Sequence, residues 1–352
     1  VTNPTSSVGC NGLSILKSRN AVIFAPHPSG KQCSGLAAQK LRDGIRKMGG
    51  PEDLVQWIEE PSIQLTQDMM AAVDLVVATG GPAMVKAAYS CGTPAYGVGA
   101  GNATVIVDET ADVEESAKKI FLGKTFDNAT SCSSENSVVM EASIYNRMLH
   151  EFQKLGGYLC NDEEKENLKN AMWPDGHILN RVIVGQPATR IAELAGLDVP
   201  ESTRFLMVEA SELCPSELFA GEKLSVVMTL WKYTGFTQAI QYVKDITRFS
   251  GYGHSCGIHT IRDDRVEELA LKAPVSRIMV RQAQSAANSG NYDNGMPFSL
   301  TLGCGTWGGN ISSENISYQN FQNITWVSRP IPPVIPDEEK IFGKHWECHG
   351  TH

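Results

Sequence analysis

The stretch Leu75-Val76-Val77-Ala78-Thr79-Gly80-Gly81-Pro82 decides the fold class of this 352-residue chain. Its apolar half predicts a short buried strand. Its second half predicts a tight turn into a helix, because proline suits the first helical position. A helix that begins after a strand and glycines also attracts anions at its amino end. Residues 79–82 are therefore candidates for binding a phosphate, and a plain tight turn is the alternative.

The same alternation of strands and helices continues on both sides of this stretch. It predicts helices at Gly30–Met48, Ser62–Ala72 and Asp112–Phe121, and strands at Asn20–Phe24, Leu54–Ile58, Leu75–Ala78 and Thr104–Val107. From about Phe126 a second unit repeats the pattern, with strands predicted at Ser137–Met140, Arg204–Val208, Ser225–Leu230, Gly257–Ile261 and Ile278–Val280. This rhythm favours an α/β fold with a mostly parallel sheet and helices on both faces.

The character of the sequence changes after Gly309. Strand-favouring side chains fill Tyr318–Val327, and four prolines follow by position 336. We predict a strand here. It either pairs with another subunit or forms an edge of the chain's own sheet, and the sequence does not decide between them.

Composition narrows the function classes. No apolar run approaches the roughly 18 residues that a membrane span requires. The net charge of −9 disfavours non-specific nucleic-acid binding. Nine scattered cysteines without a C-x-x-C pair argue against a disulfide framework or a structural metal site, so we expect a cytoplasmic protein without a bound metal.

One cysteine lies where a reactive thiol would be useful. Cys132 belongs to a polar turn just before the strand Ser137–Met140. A thiolate there could act as a nucleophile if its surroundings lowered the thiol pKa. Taken alone, a loop cysteine is more often inert. His254 and His27 are further candidates, although a lone histidine is more often structural.

Two glycine-dense segments, residues 97–102 and 303–310, suggest a ligand cleft, because glycine lets the backbone come close to a ligand. Irregular loops are the alternative. Together and in this order, the segments resemble the CoA-acylating branch of the aldehyde dehydrogenase superfamily. The resemblance extends from about Asn3 to Arg329. It is carried by residues 2–6, 24–28, 78–82, 97–102, 124–128, 132–135 and 300–310.

The resemblance implies three parts: an incomplete Rossmann-type NAD(P)-binding domain in residues 1–125, a catalytic domain in 126–312, and a C-terminal oligomerisation strand and tail in 313–352. Family members normally have a leading segment before the Thr-Asn-Pro-Thr motif. We therefore expect the first domain to lack its N-terminal part, and we expect a homo-oligomer, either a dimer or a tetramer.

The resemblance also implies roles for individual residues. Cys132 would be the nucleophile, and the Asn3 side chain would stabilise the oxyanion beside the backbone N–H of Cys132. Glu222 would contact the nicotinamide ribose. The expected cofactor-binding set is completed by Pro26, His27, Thr79, Gly80, Gly81, Pro82 and Gly99.

Gly97 stands where hydrolytic aldehyde dehydrogenases carry a glutamate general base. Water needs such a base to attack a thioester, whereas the thiol of CoA is intrinsically a better nucleophile. The glycine therefore implies that CoA accepts the acyl group from Cys132.

Three further residues bear on the substrate. Thr130 and Ser131 replace the aliphatic residues of acetaldehyde-type relatives, and Arg281 could bind a sulfonate because guanidinium offers two parallel donors. This pattern is similar to that of acylating sulfoacetaldehyde dehydrogenases, and the resemblance implies sulfoacetaldehyde as the substrate. A surface ion pair is the alternative for Arg281. NAD and NADP both remain open, since the carboxylate that would repel a 2′-phosphate is missing after Phe24 and Lys31 could attract one.

Three rival functions remain at this point. The chain could be an acylating acetaldehyde dehydrogenase, a non-catalytic assembly subunit, or a hydrolytic dehydrogenase, although Gly97 argues against the last.

Overall fold

The computed structural model describes residues 3–350, so Thr2 of the first motif and the last two residues lie outside it. The chain divides into a large compact unit that extends to Phe321 and a smaller one that begins at Gln322. The predicted α/β fold is confirmed, because parallel strands alternate with helices through the large unit. Within the described range, no helix is long and apolar enough to cross a bilayer.

The first hundred residues form two small parallel strand pairs. Strand β1 (Val22–Phe24) pairs with β2 (Val55–Trp57), and β3 (Val76–Thr79) pairs with β4 (Ala95–Val98). Four helices accompany them: α1 (Ser6–Lys17), α2 (Lys31–Lys47), α3 (Ile63–Ala72) and α4 (Pro82–Ser90). Helix α4 begins at Pro82 after Gly81, as residues 79–82 predicted.

The remaining strands form one parallel seven-stranded sheet in the order β11-β10-β5-β6-β9-β8-β7. Its strands are β5 (Ala103–Val107), β6 (Glu135–Glu141), β7 (Gly157–Leu159), β8 (Phe205–Glu209), β9 (Val227–Tyr233), β10 (Cys256–His259) and β11 (Ile278–Val280).

Strand pairing bears on the predicted boundary at residue 125. Because β5 pairs with β6 and β10, it belongs to the large sheet and not to the strand pairs that precede it. The change of sheet therefore falls between β4 and β5. The division into a cofactor domain and a catalytic domain stays a prediction.

Helices cover both faces of this sheet. They are α5 (Val113–Thr125), α6 (Tyr145–Lys154), α7 (Asp162–Met172), α8 (Ala188–Leu194), α9 (Phe236–Phe249), α10 (Asp263–Lys272) and the short α11 (Gln284–Ala287). Val105 and Val107 of β5 pack in one apolar cluster, with residues of α5 to α8. Ile106 packs in the other, with residues of α9 and α10. Neighbouring β5 side chains point to opposite faces, so a strand buried on both faces is apolar throughout.

Several helices were not predicted from the sequence, among them α1, α9 and α10. In α9 the buried residues Ala239, Ile240, Val243 and Ile246 recur at the spacing of one helix face. That periodicity was a readable signal.

The strand predicted at Tyr318–Val327 is not part of the chain's own sheet, so the edge-strand interpretation is wrong. Tyr318–Phe321 is a short 3₁₀ helix, and residues 322–337 form neither helix nor strand. Ile324, Trp326 and Val327 are exposed. Strand-favouring side chains do not make a strand unless a neighbouring strand accepts their backbone hydrogen bonds. Pairing with another subunit stays a prediction. The small unit also contains helix α12 (Glu338–His349).

Candidate active site

The amino ends of three adjacent strands bring Cys132 and its neighbours together. Gly101 lies two residues before β5, Cys132 three residues before β6, and His254 two residues before β10. These strands are parallel and adjacent in the sheet. Their leading loops therefore meet at one edge, which explains how residues far apart in sequence share a site.

Gly101 lies directly against the nucleophile candidate. A Cβ atom at this position would lie 1.8 Å from the carbonyl oxygen of Cys132. No side chain fits there, so the glycine in this segment is required by close backbone approach. The amide of Gly101 donates to Oε1 of Glu222 at 3.2 Å. Glu222, expected at the nicotinamide ribose, thus lies beside the Cys132 loop.

The loop that leads to Cys132 has an unusual backbone. Asp127, Asn128 and Ala129 have φ values of 47°, 49° and 61°, in the left-handed region. Each such residue costs on the order of 1–3 kcal/mol unless its surroundings hold it. The Asn128 side chain donates to the carbonyl of Gly185 at 3.0 Å, which supplies one such restraint.

His254 is the side chain that contacts the thiol. Its Nε2 lies 3.2 Å from Sγ of Cys132, and its Nδ1 lies 2.9 Å from the hydroxyl of Ser255. The imidazole is almost fully buried. With hydrogen on Nδ1, the ring donates to Ser255 and leaves Nε2 free to accept the thiol proton.

The surroundings of this pair disfavour charge. Burial lowers the pKa of His254 to about 3, and the nearby Arg277 cation acts in the same direction. Burial, together with Glu222 and Cys304, raises the pKa of Cys132 to about 12, while Arg277 opposes that rise. Thiol and imidazole are therefore both neutral at neutral pH in the protein alone. Cys132 as a whole residue is only partly buried, which leaves the site open to a substrate.

Two further ionisable residues are buried close enough to Glu222 or to each other to interact electrostatically. Lys124 and Glu135 are fully buried, and neither Nζ of Lys124 nor Oε2 of Glu135 has a hydrogen-bond partner among the described residues. Burial lowers the pKa of Lys124 to about 7, opposed by Glu135 and Glu222. Burial raises the pKa of Glu135 to about 8. Lys124 was noticed in the sequence only as part of a motif.

The two glycine-dense segments lie near each other, as a common cleft requires. Gly99 faces the carbonyl of Gly308, which lies 3.9 Å from the position of a Cβ atom at Gly99. Gly253, next to His254, packs so closely on the carbonyl of Cys304 that a Cβ atom would be 2.1 Å away. Both segments therefore border the site of Cys132 and His254.

The predicted nucleotide-binding residues other than Glu222 follow strands of the two small pairs, at their carboxyl ends. Buried Pro26 and exposed His27 follow β1, and Nδ1 of His27 accepts from the amide of Ser29 at 3.2 Å. Thr79 ends β3, and Gly81 precedes the first turn of α4. A Cβ atom at Gly81 would meet nothing within 4 Å, so the amino end of α4 opens to a ligand. Backbone amides at an open helix terminus fit a pyrophosphate.

The substrate-binding candidates do not all lie together. Thr130 and Ser131 adjoin Cys132, and Oγ of Ser131 lies 3.0 Å from Oγ of Ser133. Arg281 follows β11 at the carboxyl ends of the strands, because Val280 pairs with Ile258. At about 3.3 Å per residue, the length of the strands places it on the order of 15 Å from the Cys132 edge. Among the described residues no hydrogen bond or ion pair joins Arg281 to that edge, so its role stays a prediction that the register disfavours.

Asn3 begins the described chain, and its carbonyl accepts from the amide of Ser7 at 3.1 Å. Its expected role at the oxyanion stays a prediction.

Arg277 was not predicted from the sequence. It lies immediately before β11 and level with Ser255, next to His254, so its position becomes meaningful only once the strand order is known.

Comparison with known proteins places the chain in a family. The model of the aldehyde dehydrogenase family matches residues 4–159. A sulfoacetaldehyde dehydrogenase from Acholeplasma sp. is 48% identical over 349 residues, which cover 98% of this chain and 72% of that protein. The chain belongs to the aldehyde dehydrogenase family. The resemblance found in the motifs is thereby confirmed.

Solved structures agree with this assignment. An acetylating aldehyde dehydrogenase from Geobacillus thermoglucosidasius superimposes with a TM-score of 0.90 at 35% identity, covering 95% of this chain and 74% of that one. A Rhodopseudomonas palustris propionaldehyde dehydrogenase, solved with bound CoA and an acylated cysteine, gives a TM-score of 0.82 at 28% identity. That match covers 91% of this chain and 71% of that one. An acetylating aldehyde dehydrogenase and a propionaldehyde dehydrogenase solved with bound CoA thus share this fold.

Proposed function

We propose that this aldehyde dehydrogenase oxidises sulfoacetaldehyde with NAD⁺ or NADP⁺ and CoA, and forms sulfoacetyl-CoA through a thioester on Cys132. The observation that carries the proposal is the 3.2 Å contact between Nε2 of His254 and Sγ of Cys132. A thiol paired with a proton acceptor at the edge of a ligand cleft is the arrangement that covalent aldehyde oxidation requires.

In the first step Nε2 of His254 takes the thiol proton, and Sγ of Cys132 attacks the aldehyde carbon. The carbonyl oxygen becomes an oxyanion, which the backbone N–H of Cys132 and the side chain of Asn3 are proposed to stabilise. Loss of hydride from the carbon restores the C=O bond and leaves a thioester on Cys132. The proton on His254 is released to solvent. The CoA thiol then adds to the thioester, and its proton passes to Sγ of Cys132, which leaves as the thiol.

The bound nicotinamide nucleotide supplies an acceptor for the two electrons of the hydride. The proposed holding residues fit such a ligand. Gly80, Gly81 and Pro82 would border the pyrophosphate at the open end of α4, and Pro26, His27, Thr79 and Gly99 would line the rest. Glu222 would contact the nicotinamide ribose from its place beside Gly101.

Gly97 supports CoA, and not water, as the acyl acceptor. It lies in β4, where a Cβ atom would be 2.7 Å from Cγ1 of Val85 and 2.8 Å from Cε2 of Tyr89. The position therefore offers no carboxylate and little room for one. Without a base for water, thiolysis by CoA is the faster exit from the thioester.

Thr130 and Ser131 support a polar substrate, since both hydroxyl side chains adjoin the nucleophile. The similarity to sulfoacetaldehyde dehydrogenase over nearly the whole chain favours the sulfonated aldehyde over acetaldehyde. Arg281 remains the sequence-based candidate for the sulfonate. If Arg281→Ala leaves the KM for sulfoacetaldehyde unchanged, that assignment fails, and the strand register leads us to expect this result.

The proposal also includes a cytoplasmic homo-oligomer, either a dimer or a tetramer. The exposed segment 322–336 contains Ile324, Trp326, Val327, Ile331, Val334 and Ile335, and would supply apolar contact area to a second copy. Light scattering of the purified chain tests this point, and a monomer at micromolar concentration would contradict it.

The function is tested by measuring NAD(P)H formation with sulfoacetaldehyde and with acetaldehyde, each with and without CoA. We expect turnover that depends on CoA and a higher kcat/KM for sulfoacetaldehyde. Cys132→Ala is the control and should abolish turnover. A higher kcat/KM for acetaldehyde would replace the substrate, turnover without CoA would indicate a hydrolytic enzyme, and no turnover would favour an assembly subunit.

A further inference from the structure

Arg277 is a buried cation whose hydrogen bonds all go to uncharged groups. Its side chain is 5% exposed. Nε donates to Oδ1 of Asn315 at 2.7 Å, and Nη1 donates to the carbonyl of His254 at 3.1 Å. Nη2 donates to the carbonyl of Gly303 at 2.6 Å, with longer contacts to Ser313 and Glu314. No carboxylate among the described residues forms an ion pair with it.

These contacts tie together the two loops that flank the thiol. One is the loop of His254, whose main chain is also held by Ser276, since the amide of Ser276 donates to the carbonyl of Gly253 at 3.0 Å. The other is the glycine-dense segment 303–310, which packs on Gly253. A planar guanidinium holds five N–H donors in a fixed arrangement and can restrain both loops at once, whereas an ammonium group has only three donors and no fixed plane.

The uncompensated charge also acts on the site. Burial is the main cause that lowers the pKa of Arg277, and the thiols of Cys304 and Cys132 oppose that shift. An arginine remains protonated even when its pKa is lowered. A cation without a carboxylate partner favours negative charge nearby, and deprotonation of Cys132 creates such charge on the sulfur.

We propose that Arg277 is a positioning residue for the Cys132–His254 pair: its buried guanidinium fixes the main chain of His254 against the thiol and supplies the positive charge that favours the Cys132 thiolate. This inference rests on the proposed function only in taking Cys132 as the nucleophile. It adds a residue that no motif indicated.

The test measures how fast iodoacetamide alkylates Cys132 as a function of pH, with the modified peptide quantified by mass spectrometry because the chain has nine cysteines. This readout needs neither aldehyde nor CoA, so it fails or succeeds independently of the substrate assignment. We expect Arg277→Met to slow alkylation at pH 8 at least tenfold and to shift the pH profile towards higher pH. Arg248→Met, on the exposed face of α9, is the matched control and should leave the profile unchanged.

Arg277→Lys separates charge from geometry. It keeps the charge but loses the planar set of donors, so we expect a pH profile close to wild type and a reduced kcat. Asn315→Asp supplies a second route if Arg277→Met does not fold. The carboxylate still accepts from Nε but neutralises the guanidinium, and should therefore shift the alkylation profile to higher pH.

An unshifted alkylation profile in folded Arg277→Met overturns the proposal, as does an unshifted profile in Asn315→Asp. An Arg277→Lys variant with wild-type kcat would overturn the positioning role.

Discussion

Nε2 of His254 lies 3.2 Å from Sγ of Cys132, although 122 positions separate the two residues in the sequence. Parallel strands bring them together, because each residue lies in a loop that leads into a strand at the same edge of the sheet. Among the described residues, His254 is the only one with a ring nitrogen within hydrogen-bonding distance of this thiol. Its contribution to thiol activation can therefore be measured by removing it alone.

His254→Ala should lower the rate of thioester formation by about 10²–10⁴, the usual contribution of a positioned proton acceptor. The measurement is the burst of NAD(P)H in a single turnover with aldehyde, before CoA is added. His150→Ala, on an exposed face of α6, is the matched control and should retain the wild-type burst. A wild-type burst in His254→Ala would exclude the imidazole as proton acceptor.

The pH dependence of Cys132 alkylation should show that Cys132 and His254 form a neutral thiol–imidazole pair and not a thiolate–imidazolium pair. Burial lowers the pKa of His254 to about 3 and raises that of Cys132 to about 12. Because only the thiolate reacts, the rate for the protein without ligands should rise about tenfold per pH unit from pH 6 to 9. No inflection should occur near the ordinary histidine pKa of about 6.5. A plateau that begins near pH 6.5 would show that the ion pair forms.

Much of the fold was readable from the sequence, and the reason is local. The apolar runs of β3, β5 and β6 and the turn at Gly80-Gly81-Pro82 are signals within a few residues. The pairing of β5 with β6 and β10 was not readable, because strand order is a property of tertiary packing. The sequence therefore did not show to which sheet β5 belongs.

The same distinction applies to the site. Cys132 and the glycine segments were found through motifs, and His254 remained a candidate because nothing near it in sequence shows its thiol partner. Arg277 immediately precedes β11, and Arg281 immediately follows it. The motif comparison selected Arg281, whereas the direction of the strand places Arg277 at the edge with Cys132.

Gly101→Ala should inactivate the enzyme. Its Cβ atom would lie 1.8 Å from the carbonyl oxygen of Cys132, so the nucleophile loop must move. We expect kcat to fall at least 100-fold, since small misplacements of reacting groups have effects of that size. Gly44→Ala in α2 is the matched control. Its Cβ meets nothing within 4 Å, and it should raise the free energy of unfolding by about 0.5–1 kcal/mol with unchanged kcat.

The steric reason for Gly101 would be wrong if Gly101→Ala kept a wild-type kcat. The free energy of unfolding is measured by urea denaturation on both variants, so that a loss of activity through unfolding is recognised.

Glu60→Gln should raise the use of NADP⁺ relative to NAD⁺. Nζ of Lys31 lies 2.5 Å from Oε2 of Glu60, at a cavity of about 390 Å³ that Trp57 and Glu59 also line. The cavity adjoins the carboxyl end of β2, where dinucleotides bind in such sheets. Two carboxylates against one lysine repel a 2′-phosphate, and Glu60→Gln frees Lys31 to attract it.

We expect the ratio of kcat/KM for NADP⁺ to that for NAD⁺ to rise severalfold in Glu60→Gln. The change should be modest because the Glu60 side chain is 84% exposed, and it should shrink as salt is added. Glu267→Gln, on the exposed face of α10, is the control for a lost surface carboxylate. A ratio that is the same in wild type and Glu60→Gln would remove this pair from cofactor selection.

Gly97→Glu should not convert the enzyme into a hydrolase, even though hydrolytic relatives carry a glutamate there. Gly97 is paired with Ala78 inside the β3–β4 strands, and the Tyr89 hydroxyl accepts from its amide at 3.0 Å. A Cβ atom would crowd Val85 and Tyr89. The carboxylate could be placed only by moving α4, which also forms the proposed pyrophosphate site.

We therefore expect both Gly97→Ala and Gly97→Glu to lose CoA-dependent turnover. Gly97→Ala separates the effect of the Cβ atom from that of the carboxylate. Free acid is measured by chromatography in the absence of CoA. Its formation by Gly97→Glu, and not by Gly97→Ala, would show that the missing base alone prevents hydrolysis.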